Sequence, residues 1–180
     1  MADVEKEPVV VAPYDPRWPL LYDEERVRIV AALGGRIAAV EHVGSTAVPG
    51  LGAKPIIDVM VGLRCLADSE GCIPILERLG YEYKGEFGIP GRLYFRRSSE
   101  GKRTHQVHIV EEGSNFWELL LLFRDYLREH PEEAQEYCNL KERLAARFRS
   151  QRAEYTKAKT EFIAGVIAKA RRAKQDQSAG

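Results

Sequence analysis

A glycine-serine pair and a lone carboxylate are the parts of this chain best suited to phosphate chemistry. Gly44-Ser45-Thr46 follows the run ending at Val43, where a strand hands over to a turn or helix start; there, backbone N–H groups and hydroxyls can receive a phosphate oxygen. Asp58 stands alone among Ile56, Ile57, Val59, Met60 and Val61. Such a carboxylate is costly to ionise without a cation or hydrogen bonds. Magnesium beside a triphosphate takes one or two carboxylates plus phosphate oxygens and water. The same residues also fit plainer roles: Gly44-Ser45 a tight turn, Asp58 a hydrogen-bonding role inside the core, Lys54 a solvated loop position.

Further charges lie downstream. Between 84 and 103, Lys84, Arg92, Arg96, Arg97, Lys102 and Arg103 face only Glu86 and Glu100, a local charge of +4. Arg92 follows Gly88-Ile89-Pro90-Gly91, a turn that can aim one guanidinium into a cleft. Arg97, Lys102 and Arg103 read as edge charges that discourage pairing of an exposed hairpin. His105 and His108 point to opposite faces of a strand, and His108 is the one expected in a cleft, because Val107 and Ile109 then share the core side. His42 reads as a satisfied strand histidine. Tyr155 and Lys159 share one helix face, either as a base-stacking ring with a phosphate-reading lysine or as an amphipathic helix with a snorkelling lysine.

These residues need elements to hold them. Asp15-Pro16 predicts a helix start with proline at the first position, running to about Leu33 with Leu20, Leu21, Val27, Val30 and Ala31 on one side, and Gly34-Gly35 stopping it. Strands are predicted at 36–43, 56–61, 81–84, 93–97 and 103–110, with a short extended stretch at Val9–Val11. A helix irregular at Pro74 spans about 69–79. Asn115 to Glu118 resembles a capping box opening a helix to about Glu129, and Pro131-Glu132-Glu133 opens another. Residues 135–174 hold no proline and one glycine, so one or two long helices are expected, with Leu140, Leu144, Phe148, Phe162, Val166 and Ile167 inward. Trp18, Trp117, Phe123 and Phe148 read as core. The organisation is an α+β core over 1–112, a helical extension over 113–174 and a flexible tail over 175–180.

Composition sets outer limits. The 180 residues are 44% hydrophobic and 30% charged, with 27 basic against 27 acidic side chains, so no global field draws the protein to nucleic acid or acidic membranes. Any polyanion site is local. Cys65, Cys72 and Cys138 form no CxxC pair, which suits a reducing compartment and small buried roles. No stretch is long and apolar enough to be a secretory signal or a span, so a cytoplasmic location is expected.

Gly-Ser followed by a strand aspartate resembles the signature of the polymerase-β-type nucleotidyltransferases. The string His42–Leu51 with Ala53–Val61 is similar to the GrpB family in particular, as are Pro13–Trp18, Gly85–Phe95, Thr104–Ile109, Phe123–Arg128 and Tyr155–Lys159. The similarity spans about 8 to 170. It implies a nucleotidyltransferase-like mixed sheet with flanking helices and a C-terminal helical extension. It also implies a nucleotide or other phosphate-bearing small molecule as ligand and Mg²⁺ or Mn²⁺ as cofactor. Gly44, Ser45, Thr46, Lys54, Arg92, Lys141, Tyr155 and Lys159 would contact the ligand, Asp58 and Ser45 would act in nucleotidyl transfer, and Asp58 with His108 would hold the metal. One departure stands out: the superfamily carries a second acid two residues after the first, and this chain has Met60 there. The rival reading is therefore a regulatory module that binds without transferring. Fusion of some family members to dephospho-CoA kinase suggests a coenzyme A context. An RNA-binding accessory role is opposed by the zero net charge.

Overall fold

The computed structural model describes residues 9–178. Helix α1 (Trp18–Leu33) leads to β1 (Ile37–Val43), a one-turn 3₁₀ segment at Ser45–Ala47, and β2 (Ile57–Leu63). Helix α2 (Ile73–Arg78), β3 (Glu82–Tyr83), β4 (Leu93–Ser99) and β5 (Lys102–Glu111) complete an α+β half, followed by α3 (Asn115–Glu129), α4 (Pro131–Phe148), α5 (Arg152–Lys157) and α6 (Thr160–Ser178). The five strands form one mixed sheet in the order β1-β2-β5-β4-β3, with β2 and β5 parallel and the other pairs antiparallel.

Strand alternation splits the sheet's two faces. Ile57, Val59, Val61, Phe95, Val107 and Ile109 meet Trp18, Ile29, Leu33 and Leu76 of α1 and α2. On the other face Met60 packs with Val43, Val110 and Trp117 under α3. The loop after Gly44 is buried differently: Val48 and Leu51 sit among Phe123, Leu127, Ala134, Tyr137 and Val166, so the helical half grips this loop directly. Burial of this apolar surface supplies the main driving force for closing the two halves on each other.

Four local expectations are corrected. Helix α1 starts at Trp18, with Asp15 accepting from the Arg17 N–H at 2.9 Å, two residues later than Pro16 suggested. Its buried face is Trp18, Glu25, Ile29 and Leu33, while Leu20, Leu21, Val27 and Val30 are exposed. Apolar residues are scattered round this helix, so their number misleads. Glu25 tolerates burial because Arg97 donates to it at 2.7 and 2.9 Å, Arg28 at 2.8 Å and the Tyr81 hydroxyl at 3.0 Å. Burial alone raises the Glu25 carboxyl, but the Arg97 and Tyr81 bonds outweigh it and hold it below the ordinary range. Arg97 is thus a core ion-pair partner and not an edge charge. At α3 the cap is Ser114, accepting from the Trp117 N–H at 3.4 Å, one residue before Asn115.

The stretch expected as one or two long helices is three. Helix α4 ends at Phe148, and Arg149 takes the left-handed φ of 27° that non-glycine residues rarely adopt. The Val9 N–H donates to the Arg149 carbonyl at 2.7 Å, so the N-terminal segment pins this break. Helix α6 then runs to Ser178, including part of the tail expected to be flexible, since no glycine or proline lies between Gly165 and Gly180; residues 179 and 180 lie outside those described. Cys72 is buried, Cys138 partly so, and Cys65 is exposed, correcting the expectation of three buried thiols. Among the described residues no helix is long and apolar enough to cross a membrane.

Candidate phosphate-binding cleft

A cleft of about 840 Å³ opens between the Asp58 face of the sheet and the α4–α5 region. Ser45, Thr46, Lys54, Asp58, Arg92, His108, Lys141, Tyr155 and Lys159 all line it, so the residues singled out from the sequence meet in one place. Gly44 stands behind them with φ +73°, and a Cβ there would lie 2.6 Å from Asp58 Oδ2. Glycine therefore serves both the turn and the close seating of Asp58 beneath it. The loop is clamped from outside by Arg128, donating to the Ala47 carbonyl at 2.9 Å, and by Arg124, donating to the His42 carbonyl at 3.0 Å.

The cleft is strongly cationic in a chain of zero net charge. Lys54, Arg92, Arg96, Arg103, Lys141, Arg152, Lys157 and Lys159 line it against the carboxylates Asp58 and Glu154. Burial pulls the Lys54 and Lys141 ammonium groups down to about 7, Lys159 to about 8 and the Arg103 guanidinium to about 10. Neighbouring cations lower Lys54, Lys159 and Arg103 further, Arg152 among them in each case. So much confined positive charge calls for an anion.

At the floor, Arg92, His108 and Asp58 form a chain. Arg92 Nη1 lies 3.3 Å from His108 Nδ1, and His108 Nε2 lies 3.5 Å from Asp58 Oδ1. A guanidinium has only donors, so Nδ1 accepts and Nε2 carries the proton towards Asp58. Arg92 also donates to the carbonyls of Glu86 and Phe87 at 3.1 and 2.9 Å, tying the 86–91 turn to the floor. Both ring nitrogens of His108, expected as a metal ligand, thus face side chains of the floor, Arg92 on one side and Asp58 on the other. Among the described residues no three His, Cys, Asp or Glu side chains are grouped to hold a metal. Met60 shares Asp58's face but is fully buried among Val43, Val110 and Trp117 and does not line the cleft. This donor set does not fit a resident two-metal centre, and Asp58 keeps 22% of its side chain exposed towards the cleft.

Other side chains play parts the sequence did not separate. The Thr46 hydroxyl donates to the Ile56 carbonyl at 3.3 Å and accepts from His42 Nε2 at 3.0 Å, so it braces the turn. His42 is stacked on Tyr22 and pulled to about 4, chiefly by burial, which keeps it neutral in that role. Tyr155 is 1% exposed, with Lys54 and Lys159 over its ring at 4.2 and 4.6 Å. So deeply buried, the ring is a platform for these cations and offers no face to a base. Lys141 donates to the Gly52 carbonyl, anchoring the loop while keeping its ammonium in the cleft wall. Tyr137, deeply buried and raised above the ordinary phenol range chiefly by that burial, is hydrogen-bonded to Ser45.

Residues missed by sequence reasoning also face the cleft. Phe87, 53% exposed with φ 46°, stands at the rim with the Arg96 guanidinium 4.4 Å over its ring. Arg103 points into the cleft, although alternation along β5 would place it on the His105 side. The register shifts there: Arg97 pairs with His105 and Ser98 with Arg103, so Thr104 is an extra residue that turns Arg103 to the other face. Bulges re-aim side chains in this way. Lys102 is exposed beside the β4–β5 turn, but β5 is the central strand of the sheet, so Lys102 is not an edge charge either.

Comparison with known proteins gives a consistent picture. The family model described as GrpB protein matches residues 8–169. UPF0157 protein YqkA of Bacillus subtilis (strain 168) is 39% identical over 173 residues, 96% of this chain and 50% of its own length. This chain thus spans half of that relative. The glutamate-rich protein GrpB of Alkalihalophilus pseudofirmus is 31% identical over 93% of this chain and 98% of its own. The crystal structure of conserved protein GrpB from Enterococcus faecalis superposes with a TM-score of 0.83 at 40% identity, over 89% of this chain and 96% of that one.

Proposed function

This chain belongs to the GrpB family, and from that premise we propose that its cleft binds a nucleoside triphosphate or a related phosphate-bearing small molecule. The observation that carries the reading is the charge imbalance: eight lysines and arginines against two carboxylates round one cleft, in a chain with no net charge. Ser45 and the turn at Gly44 receive phosphate oxygens, Lys54, Lys141 and Lys159 neutralise them, and Arg92 holds the floor. Phe87 at the rim replaces Tyr155 as the ring available to a base. A cytoplasmic location belongs to the same reading and rests on the free cysteines.

Two consequences separate here. Transfer of a nucleotidyl group to a small acceptor would draw on Asp58 and a divalent cation. The geometry favours the alternative, a regulatory module that binds without transferring, because Met60 is sealed under Trp117 and, among the described residues, no three His, Cys, Asp or Glu side chains are grouped to hold a metal. A panel of nucleoside triphosphates, coenzyme A and dephospho-coenzyme A, with Mg²⁺, with Mn²⁺ and with chelator, tests both in equilibrium binding and pyrophosphate-release assays. Tight binding with no pyrophosphate released to any acceptor is expected. Steady release would reinstate the transferase.

Asp58→Asn gives a test by sign. In chelator the variant binds triphosphate more tightly than the wild type, by roughly tenfold or about 1.4 kcal/mol, since one repelling charge is gone. With Mg²⁺ that advantage disappears, because the wild type alone gains a carboxylate contact to the cation. Equal affinities for wild type and variant in both conditions would exclude Asp58 from the ligand's surroundings.

A further inference from the structure

We propose that Arg103, with Lys54, Lys159 and Arg152, forms a separate subsite for the terminal phosphates of a polyphosphate ligand, displaced along β5 from the Asp58–His108 floor. The inference rests on the phosphate-binding reading and deepens it, because it assigns the ligand more than one phosphate and names the residue that selects for it.

The first observation is an orphaned fork. Arg103 is 7% exposed, and its Nε and Nη2 atoms are buried without a hydrogen-bond partner among the described residues. Those two atoms are the adjacent edge of the guanidinium, the pair whose parallel N–H groups match two oxygens of one phosphate or carboxylate. A buried, unpaired donor pair of this kind is expensive to maintain. Arg103 lines the cleft, and because these two atoms are themselves shielded, the fork meets a ligand only once the side chain rotates towards it.

The second observation is the backbone. The extra residue at Thr104 is what turns Arg103 into the cleft; without it the side chain would join His105 and Arg97 on the opposite face. The third is the company it keeps. Lys54, Arg152 and Arg103 act on one another electrostatically, Lys159 acts on Lys54, and Asp58 is the carboxylate that opposes them. A single carboxylate ligand would leave most of this charge unmatched. A chain of phosphates spanning from Ser45 to Arg103 matches it, and the planar fork closes on the far end.

Arg103→Met keeps the apolar stem and removes the fork; Arg103→Lys keeps a charge without the fork. The probes are inorganic triphosphate, orthophosphate and a nucleoside triphosphate, read by thermal melting and by titration calorimetry. Ligand-free Arg103→Met is expected to melt higher than the wild type by about 2–4 °C, because an unpaired buried guanidinium is gone. Its affinity for inorganic triphosphate should fall at least tenfold, with Arg103→Lys between the two and orthophosphate binding weakly throughout. Wild-type affinity for triphosphate in both variants overturns the subsite while leaving the broader reading intact. Binding of inorganic triphosphate but of no nucleotide sustains the subsite and removes the nucleoside. A wild type that binds neither overturns both. A ligand-free Arg103→Met that melts below the wild type and binds triphosphate unchanged makes Arg103 a structural residue.

Discussion

Met60→Asp is expected to destabilise the protein by on the order of 4–5 kcal/mol and to restore no catalysis. The pattern of paired acids invites this substitution as a repair, since residues two apart on a strand share a face. The surroundings decide otherwise. Met60 is fully buried against Val43, Val110 and Trp117, with no polar partner in that cluster. The new carboxyl would lose the methionine's packing and stand in an apolar environment, two costs that add. The loss grows as pH rises above about 4, the free aspartate value, because the unfolded chain then ionises while the buried carboxyl is held protonated. Met60→Leu, nearly the same volume, should cost less than about 1.5 kcal/mol. Urea unfolding of the three proteins at pH 6 and 8 checks this. A stable, metal-binding Met60→Asp protein would mean that the Trp117 cluster opens to the cleft.

Tyr155→Ala is the second large effect, expected at about 3–5 kcal/mol of stability with loss of triphosphate affinity. The ring is 1% exposed, packs near Val9 and Leu144, and carries Lys54 and Lys159 over its ring. Removing it leaves a cavity and releases both ammonium groups from their platform. Tyr155→Phe keeps the ring and should retain both stability and affinity. If the ring instead stacked on a base, Tyr155→Ala would alter the preference among nucleobases while inorganic triphosphate bound as before. Titrations with a purine nucleotide, a pyrimidine nucleotide and inorganic triphosphate distinguish the two.

The floor of the cleft was legible from sequence because strand alternation and short-range turns determine it. Asp58 and His108 follow from counting along β2 and β5, and Arg92 from the glycine-proline turn before it. What escaped depends on partners distant in sequence. The α1 face was misread because Glu25 is buried, and its burial is made tolerable by Arg97, 72 residues away. Arg103 reads as an edge charge because basic residues crowd this hairpin and the sequence does not show that β5 lies at the centre of the sheet; nothing in Arg103-Thr104-His105 marks the bulge that turns it into the cleft. The break at Arg149 carries neither glycine nor proline; it is held by Val9 at the other end of the chain. That break turns Arg152, Tyr155 and Lys159 over the cleft, so the unread feature completes the site.

Proton uptake on binding tests the central claim most directly. Between pH 7 and 10.5 the buried lysines bind fewer protons in the folded protein than in the unfolded chain, since Lys54 and Lys141 are drawn to about 7 and Lys159 to about 8 from an ordinary 10.5. Ligand-free stability therefore rises with pH across that window. An anion in the cleft favours the charged amines, so its affinity falls across the same window. Calorimetric titration of ATP into the protein at pH 8, in two buffers of different ionisation enthalpy, should show heats that differ between buffers by a net uptake of protons, while adenosine gives no binding heat. Buffer-independent heats with pH-independent affinity, or adenosine binding as tightly as ATP, would contradict a cleft built for phosphate.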